Sequence, residues 1–318
     1  MKPFPPKKIL VPFDFSLRSK RAWRYARALA RRVGAETHAV YVAQWKLDTS
    51  GPPMPPLTPK DKAALRKRLE KSLGAGALVH LGAGDVVFEI LRAAKELDAG
   101  LIVMATEGRT GLNRALLGSI TEGLVRSSPI PVLSLRENGG AIRSILAPVN
   151  LETYSLAGYH AAEDVAFALG ASVTMLHVRQ APPLTAPMRG LELAADAARA
   201  FLRLRVKLEV EDGPPIERII ERARQHDLVV LVAHRKGIFH DALLGTTAEQ
   251  VLRRSGTPVL CVPAPVEPPP AAPRRPSRSS SAARARRSLP SSGSSSRRSA
   301  RGAPRATSRR GRSASDAT

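Results

Sequence analysis

The chain repeats one sequence pattern twice, and this duplication constrains its fold more than any other feature does. Three pairs of segments match along the 318 residues: KILVPFDFS (8–16) with SILAPVNLE (144–152), HAVYVAQ (38–44) with TMLHVRQ (174–180), and ALLGSITEGLVRSSPIPVLSL (115–135) with ALLGTTAEQVLRRSGTPVLCV (242–262). The spacing is kept as well, because 28 residues separate both Asp14 from Val42 and Asn150 from Val178. The first copy is nine residues longer between Val42 and Gly118 than the second is between Val178 and Gly245, but the matched segments still indicate one structural unit used twice. We therefore predict two domains of the same fold.

Apolar segments of strand length alternate with segments of helical periodicity in each copy. In the first copy the predicted strands are 8–13, 36–43, about 77–81, 101–105 and 131–135, and the predicted helices are 16–34, about 60–72, 85–97 and 118–127. Ser16 or Ser19 is the expected N-cap of the first helix, and Gly34 is its expected end. Such alternation predicts a parallel sheet with helices on both faces. The predicted fold is α/β, with two tandem doubly wound, Rossmann-like domains of five strands each, packed as a pseudo-dimer.

The composition changes sharply near the end of the chain, and the predicted boundaries are 1–138 for domain 1, 139–264 for domain 2 and 265–318 for a tail. The tail is rich in Arg, Ser, Pro and Ala and has almost nothing to bury, so we expect it to be disordered. Its 13 arginines and two acidic residues give it close to half of the chain's net charge of +23. Nucleic acid or another polyanion is only weakly indicated, because no aromatic residues are interleaved for base stacking. We favour a solvated tail without a dedicated partner, or a by-product of Arg-rich coding.

Several classes of protein are disfavoured by the sequence. No apolar run approaches the ~18 residues that a membrane-spanning helix needs. The N-terminus has prolines and charges where a signal peptide needs an apolar stretch. Cys261 is the only cysteine, so the chain has neither an internal disulfide framework nor a cysteine cluster for zinc. We expect a cytoplasmic protein without a membrane partner.

The stretch MATEGRTGLNRALLGS (104–119) is the first candidate for a binding site. It begins at the end of the fourth predicted strand, and Asp14 lies just past the end of the first. Ligands of doubly wound sheets bind beyond the carboxyl ends of the strands, where the strand order reverses. If these two strands are neighbours, Asp14 and the stretch converge on one crevice.

Glycines and a helix start within this stretch suit an anionic ligand. Gly108 and Gly111 allow the backbone to approach a ligand closely. Gly118 and Ser119 open a helix, where free N–H groups and the positive end of the dipole favour an anion. Arg109 is available to neutralise a polyphosphate. An ordinary strand-to-helix loop would also use glycines, so the stretch alone does not decide between a turn and a ligand site.

Together these residues resemble the universal stress protein family, over roughly residues 7–263 as a tandem pair. ATP-binding members of that family carry an Asp after the first strand and the pattern G-x-x-G-x9-G-[ST]. The first copy has Ala105 in place of the first glycine and keeps the remainder of the pattern. The resemblance implies that ATP, with or without Mg²⁺, is the ligand and that adenine lies near Val42. The residues that it implicates in binding are Pro12, Asp14, Val42, Ala105, Gly108, Arg109, Gly118 and Ser119.

The second copy departs further from the family pattern. Asn150 stands where the first copy has Asp14, and Val232 and Arg235 occupy the first two glycine positions. A β-branched residue and a bulky residue would block a backbone turn that depends on glycine. We therefore expect one nucleotide-binding domain and one degenerate copy that supports it. The tandem would reproduce a family homodimer within one chain, and a dimer of whole chains is left open.

The predicted function is an ATP-binding universal stress protein with a regulatory or protective role in stress. One alternative is a nucleotide-free interaction scaffold, and another is a polyanion-binding protein that acts through the basic tail. No general base or metal cluster accompanies Asp14, so enzymatic activity is left open, at most as slow hydrolysis of ATP. No catalytic residues and no metal ligands are predicted.

Overall fold

The computed structural model describes residues 4–43, 57–106, 118–136, 139–149, 157–179, 196, 205–233 and 246–263. Domain 1 contains β1 (Lys8–Pro12), α1 (Leu17–Val33), β2 (Glu36–Ala43), α2 (Pro59–Leu73), β3 (Leu78–Ala83), α3 (Val86–Glu96), β4 (Leu101–Ala105), α4 (Ser119–Ser127) and β5 (Val132–Leu135). Domain 2 contains β6 (Ser144–Pro148), α5 (Ala157–Leu169), β7 (Ser172–Arg179), β8 (Val206–Asp212), α6 (Pro215–Ala223), β9 (Leu228–Ala233), α7 (Thr246–Arg254) and β10 (Val259–Pro263). The strand and helix positions predicted for the first copy are confirmed to within about two residues.

Side-chain caps fix where the helices of domain 1 begin. The hydroxyl of Ser16 accepts a hydrogen bond from the backbone N–H of Ser19, 3.1 Å away, so Ser16 is the N-cap of α1. Gly34 ends the same helix with a left-handed φ of 71°, a conformation that glycine adopts without steric cost. Asp85 caps α3 by accepting from the N–H of Phe88 at 2.8 Å. These caps set the direction in which the chain leaves each strand.

The ten strands form one sheet in the order β3-β2-β1-β4-β5-β10-β9-β6-β7-β8. Strands within each domain are parallel, whereas β5 and β10 pair antiparallel, with Leu133 opposite Leu260. The order is the same when it is traced from either end of the sheet. The two domains are therefore related by a pseudo-twofold axis between β5 and β10, and each has the five doubly wound strands that the sequence predicts.

Helices cover both faces of the sheet and bury two layers of aliphatic side chains. One core lies under α1, α2 and α5 and includes fully buried Ile9 and Tyr159 from the two domains. The other lies under α3, α4, α6 and α7 and includes Leu10 and Cys261. Burial raises the pKa of the Cys261 thiol to about 12, so this cysteine is an inert core residue. None of the helices in the described ranges is both long and apolar enough to cross a membrane.

Charged side chains repeat the pseudo-twofold symmetry across the domain boundary. Arg253 of α7 lies 2.9 Å from Glu122 of α4 and 2.9 Å from Glu249 of its own helix. Arg126 of α4 lies 2.5 Å from Glu122 and 4.0 Å from Glu249. Arg136 adds bonds to the carbonyls of the last turn of α7, at 2.8 and 2.5 Å. The helices that follow β4 and β9 are thus joined by a network of four side chains.

Candidate functional site

The strand order places the predicted residues of domain 1 at one edge of the sheet. Strands β1 and β4 are parallel neighbours, with Ile9 opposite Leu101, and the order reverses between them. Asp14 follows β1, and Ala105 is the last residue of β4. Because the carboxyl ends of parallel strands lie at the same edge, both residues border the crevice where doubly wound folds bind ligands.

The Asp14 carboxylate lies at the surface and takes part in the turn between β1 and α1. Its Oδ1 accepts a hydrogen bond from the N–H of Ser16 at 3.0 Å, and its own N–H donates to the Ser19 hydroxyl at 3.3 Å. Partial burial acts to raise the pKa of Asp14, but hydrogen bonds from Ser16 and Ser19 outweigh it and hold the pKa below its ordinary value. The carboxylate is therefore ionised at neutral pH. It is a turn residue with an exposed charge.

Phe15 is a residue of this site that sequence reasoning missed. Its φ is 66°, a left-handed conformation that bulky residues rarely adopt and that costs about 1–3 kcal/mol. The ring is held by Phe13 and Tyr41, whose centroids lie 5.4 and 5.5 Å away, and the Arg68 guanidinium carbon lies 4.1 Å above it. This packing keeps the turn that orients Asp14. The sequence carries no signal for it, because phenylalanine is not a residue from which a positive φ is expected.

Pro12 and Val42 border the same edge from neighbouring strands. Pro12 ends β1 and pairs with Val40 of β2, and Val42 stands one residue before the end of β2, opposite Gly82. Val42 is partly exposed and packs against the core beneath α3. An apolar side chain at this edge is available to a flat apolar ring of a ligand.

The first turn of α4 opens at the same edge, because the helix runs antiparallel to β4 and β5. Gly118 is the N-cap, with ordinary φ and ψ of −63° and 141°, and Ser119 is the first helical residue. Gly118, and not Ser119, is therefore the N-cap of α4. Within the described residues, a Cβ added to Gly118 would meet no atom within 4 Å, so neither its conformation nor the packing there demands glycine. Gly108 and Arg109 lie outside the described residues.

Buried hydroxyls fix the backbone just beyond β4. Thr106 donates its N–H to the carbonyl of Leu135 at 2.9 Å, and its hydroxyl donates to the same oxygen at 3.3 Å. The Ser134 hydroxyl in turn donates to the Thr106 hydroxyl at 3.4 Å. These bonds tie the start of the predicted binding stretch to β5. Ala105, one residue earlier, is partly buried against the core under α1.

The corresponding edge of domain 2 is filled differently. The strand registers match Ala105 to Val232, and the sequence offset of 136 residues that relates Asp14 to Asn150 also relates Ala22 to Gly158. A Cγ methyl of Val232 lies 3.0 Å from the position that a Cβ on Gly158 would occupy. Valine thus takes up the space that a larger helix residue would otherwise fill. Asn150 and Arg235 lie outside the described residues, as does the glycine that precedes Thr246.

Metal ligands are not concentrated at either edge within the part of the chain that the structure describes. No group of three or more His, Cys, Asp or Glu side chains there could hold a metal ion. Asp14 is the one carboxylate that we assign to the candidate site.

The paired, doubly wound α/β domains define a class of Rossmann-like tandem proteins. Comparison with family models makes this class specific, since the universal stress protein family model matches residues 5–136 and again residues 141–263. The chain belongs to the universal stress protein family, a family with a stress-response role. The duplication seen in the sequence is a duplication of this domain.

Known relatives agree with this assignment. A universal stress protein of Methanocaldococcus jannaschii is 32% identical over 145 residues, which are 41% of this chain and 82% of the relative. A universal stress protein of Mycolicibacterium smegmatis is 28% identical over 182 residues, and the match spans 52% of this chain and 62% of that relative. The crystal structure of a universal stress protein from Archaeoglobus fulgidus shares the fold, with a TM-score of 0.66 at 20% identity, over 82% of this chain and 99% of that one.

Proposed function

We propose that this chain is an ATP-binding universal stress protein that holds the nucleotide at the carboxyl edge of domain 1. One observation carries the proposal: the reversal of strand order between β1 and β4 brings Asp14, Ala105 and the start of α4 to a single crevice. Nothing in the packing of the described residues demands glycine at the start of that helix. A glycine without a structural reason at a helix N-terminus is what the close approach of a phosphate would require.

The proposed ligand positions follow from the chemistry of the edge. Adenine lies near Val42, whose apolar side chain is partly exposed close to the carboxyl end of β2. The ionised Asp14 accepts hydrogen bonds from hydroxyls of the ribose. The phosphates lie against the free N–H groups at Gly118 and Ser119, with the predicted contribution of Gly108 and Arg109.

Magnesium would enter this site together with the nucleotide. Mg²⁺ keeps several waters and is commonly held by one or two carboxylates and the phosphates of its substrate. The described residues contain no group of three or more metal-ligating side chains, so the phosphates and waters would hold Mg²⁺ while Asp14 binds the ribose. The role of the protein is then to bind and orient the nucleotide, and the proposed function is regulatory or protective.

Domain 2 supports the site without binding ATP in this proposal. Val232 fills the space next to α5 at the position where the family pattern has glycine. The antiparallel β5–β10 pair and the network of Glu122 and Arg253 then hold domain 2 against the helix that opens the site.

Calorimetry with ATP on the intact chain tests the proposal. We expect one site per chain, and we expect adenine nucleotide to be detected by mass spectrometry in protein purified under mild conditions. Two equivalent sites would show that domain 2 is not degenerate. An absence of binding, together with an absence of co-purified nucleotide, would favour the nucleotide-free scaffold.

A further inference from the structure

Two helices on one face of domain 1 form a surface that lies outside the proposed nucleotide site, apart from the contact of Arg68 with Phe15. Helices α1 and α2 pack on the same core and touch each other, because the indole N–H of Trp23 donates to the carbonyl of Leu73 at 3.0 Å. Arg68 of α2 also reaches the ring of Phe15 at the start of α1. The two helices therefore present one continuous outer surface, called here the basic face.

The basic face carries thirteen lysines and arginines against two acidic residues. Helix α1 has seven of the cations and no Asp or Glu, and α2 has six cations with Asp61 and Glu70. All thirteen are exposed: Arg18, Lys20, Arg21, Arg24, Arg27, Arg31, Arg32, Lys60, Lys62, Arg66, Lys67, Arg68 and Lys71. Like charges three and four residues apart repel each other on a helix, so this pattern works against the stability of α1.

The pseudo-symmetric counterpart of α1 shows that the fold does not require these charges. Helix α5 packs on the same core from domain 2 and contains no lysine or arginine. Its charged residues are Glu163 and Asp164, with His160. A structural need for arginines on this helix would apply to both domains. The dense positive charge of α1 is therefore not a requirement of the helix position that α1 and α5 share.

Several arginines elsewhere in the described residues are paired with carboxylates, in contrast to five cations of α1. Arg92 lies 2.6 Å from both Glu89 and Glu96, and Arg179 lies 2.7 Å from Asp212. Among the described residues, no carboxylate lies within the 4.0 Å of an ion pair from Lys20, Arg21, Arg24, Arg27 or Arg31. Within the part of the chain that the structure describes, their charge is thus left to solvent or to an external anion, and the planar guanidinium group binds phosphate in a bidentate manner.

We propose that the basic face binds the phosphate backbone of double-stranded nucleic acid without reading its sequence. At 1.5 Å per residue, α1 is about 25 Å long, and a duplex presents about 15 phosphate charges over that distance. The face offers nothing for base stacking or for insertion into lipid, since Leu17 is the one large apolar side chain of α1 or α2 that the structure shows exposed. A positively charged surface with so little exposed apolar area is expected to bind the phosphate backbone of nucleic acid in preference to a membrane surface.

The test uses the full chain and a short fluorescein-labelled duplex of arbitrary sequence, with fluorescence anisotropy measured from about 50 to about 200 mM KCl. The test variant combines Lys20→Glu, Arg21→Glu and Arg24→Glu. All three side chains are exposed, and surface substitutions usually change stability little, so the fold is expected to persist. The matched control combines Lys95→Glu, Arg205→Glu and Arg224→Glu, which changes the net charge equally outside the basic face.

We expect the test variant to bind the duplex at least about tenfold more weakly and to lower the slope of log affinity against log salt by about 2.7, as three lost phosphate contacts would. The control should stay within about twofold of the unaltered chain. Equal loss in both variants would show that only net charge matters, and no loss in either would assign binding to the arginine-rich tail. Absence of binding at the lowest salt, or tighter binding to phosphatidylserine-containing vesicles than to the duplex, would also overturn the proposal.

Discussion

The carboxyl edges of the two domains differ far more than the sheets that support them. Both sheets have the strand order expected of one doubly wound unit, and both contribute an edge strand to the β5–β10 pair. In domain 1 the edge carries an exposed Asp14 and a small Ala105, whereas in domain 2 Val232 packs against Gly158. Since both arrangements support the same fold, the residues at the domain 1 edge are not required for folding. The identity of these residues therefore needs a reason other than folding, and ligand binding supplies one.

The same comparison shows how the core adjusts to this difference. Ala22 and Ala105 both belong to the core under α1, and Gly158, at the position in α5 that corresponds to Ala22, faces Val232. Two alanines in domain 1 thus correspond to a larger valine on the strand and a smaller glycine on the helix of domain 2, a change that roughly conserves volume. A site can be closed in this way without a loss of packing.

The largest expected effect is the loss of ATP binding when the start of α4, at the proposed nucleotide site, is altered. Gly118→Val should abolish detectable ATP binding by calorimetry, because branched methyl groups would occupy the space next to the first N–H groups of α4. The φ of −63° at Gly118 suits valine, so the melting temperature should change little. Gly245→Val, the matching change in domain 2, should leave ATP binding intact. Equal loss in both variants would contradict the assignment of one site to domain 1.

Much of this fold was predictable because its signals are local. Ser16 and Gly34 mark the ends of α1 by chemistry that involves only neighbouring residues, and the structure confirms both. The meeting of Asp14 and Ala105 at one edge also followed, since alternating strands and helices allow few topologies.

Other features were not predictable because they depend on partners distant in sequence. The duplication predicted packing between the domains. However, the sequences of the two short apolar strands contain no signal for the pairing of Leu133 with Leu260. The left-handed φ of Phe15 results from rings and a guanidinium brought together by the fold. The absence of acidic residues from α1 was visible in the sequence. Only the comparison with α5, which occupies the equivalent position in domain 2, showed that the fold does not require this charge pattern.

A change of intermediate size should sharpen the packing comparison. Gly158→Val is expected to destabilise the chain by about 1–3 kcal/mol in urea unfolding, because its Cβ would lie 3.0 Å from a Val232 methyl group. The double variant with Val232→Ala should recover much of that loss. The two substitutions together should therefore cost less than the sum of their separate costs. Gly140→Val is the control, since among the described residues a Cβ there meets no atom within 4 Å. An additive double variant would mean that the two positions do not compensate each other.

The smallest effect concerns the ion network, where the pseudo-twofold symmetry is imperfect. Arg253 makes two contacts of 2.9 Å, one of them to Glu122 across the boundary, whereas the contact of Arg126 across the boundary is 4.0 Å. Arg253→Gln should therefore lower the free energy of unfolding by about 1 kcal/mol and Arg126→Gln by about half as much. Both losses should shrink near 1 M salt, because partly exposed charges are screened there.

Arg254→Gln provides the matched control for this comparison. Arg254 neighbours Arg253 on the same helix, but its partner Glu217 lies within domain 2 and both side chains are about half exposed, at 43% and 51%. Solvent screening should leave the loss of that pair within about 0.5 kcal/mol. If Arg126→Gln proved as costly as Arg253→Gln, the network would act as a symmetric unit, and the unequal distances would carry no energetic meaning. If Arg253→Gln proved no more costly than Arg254→Gln, the boundary would be held by the β5–β10 pair and its core alone.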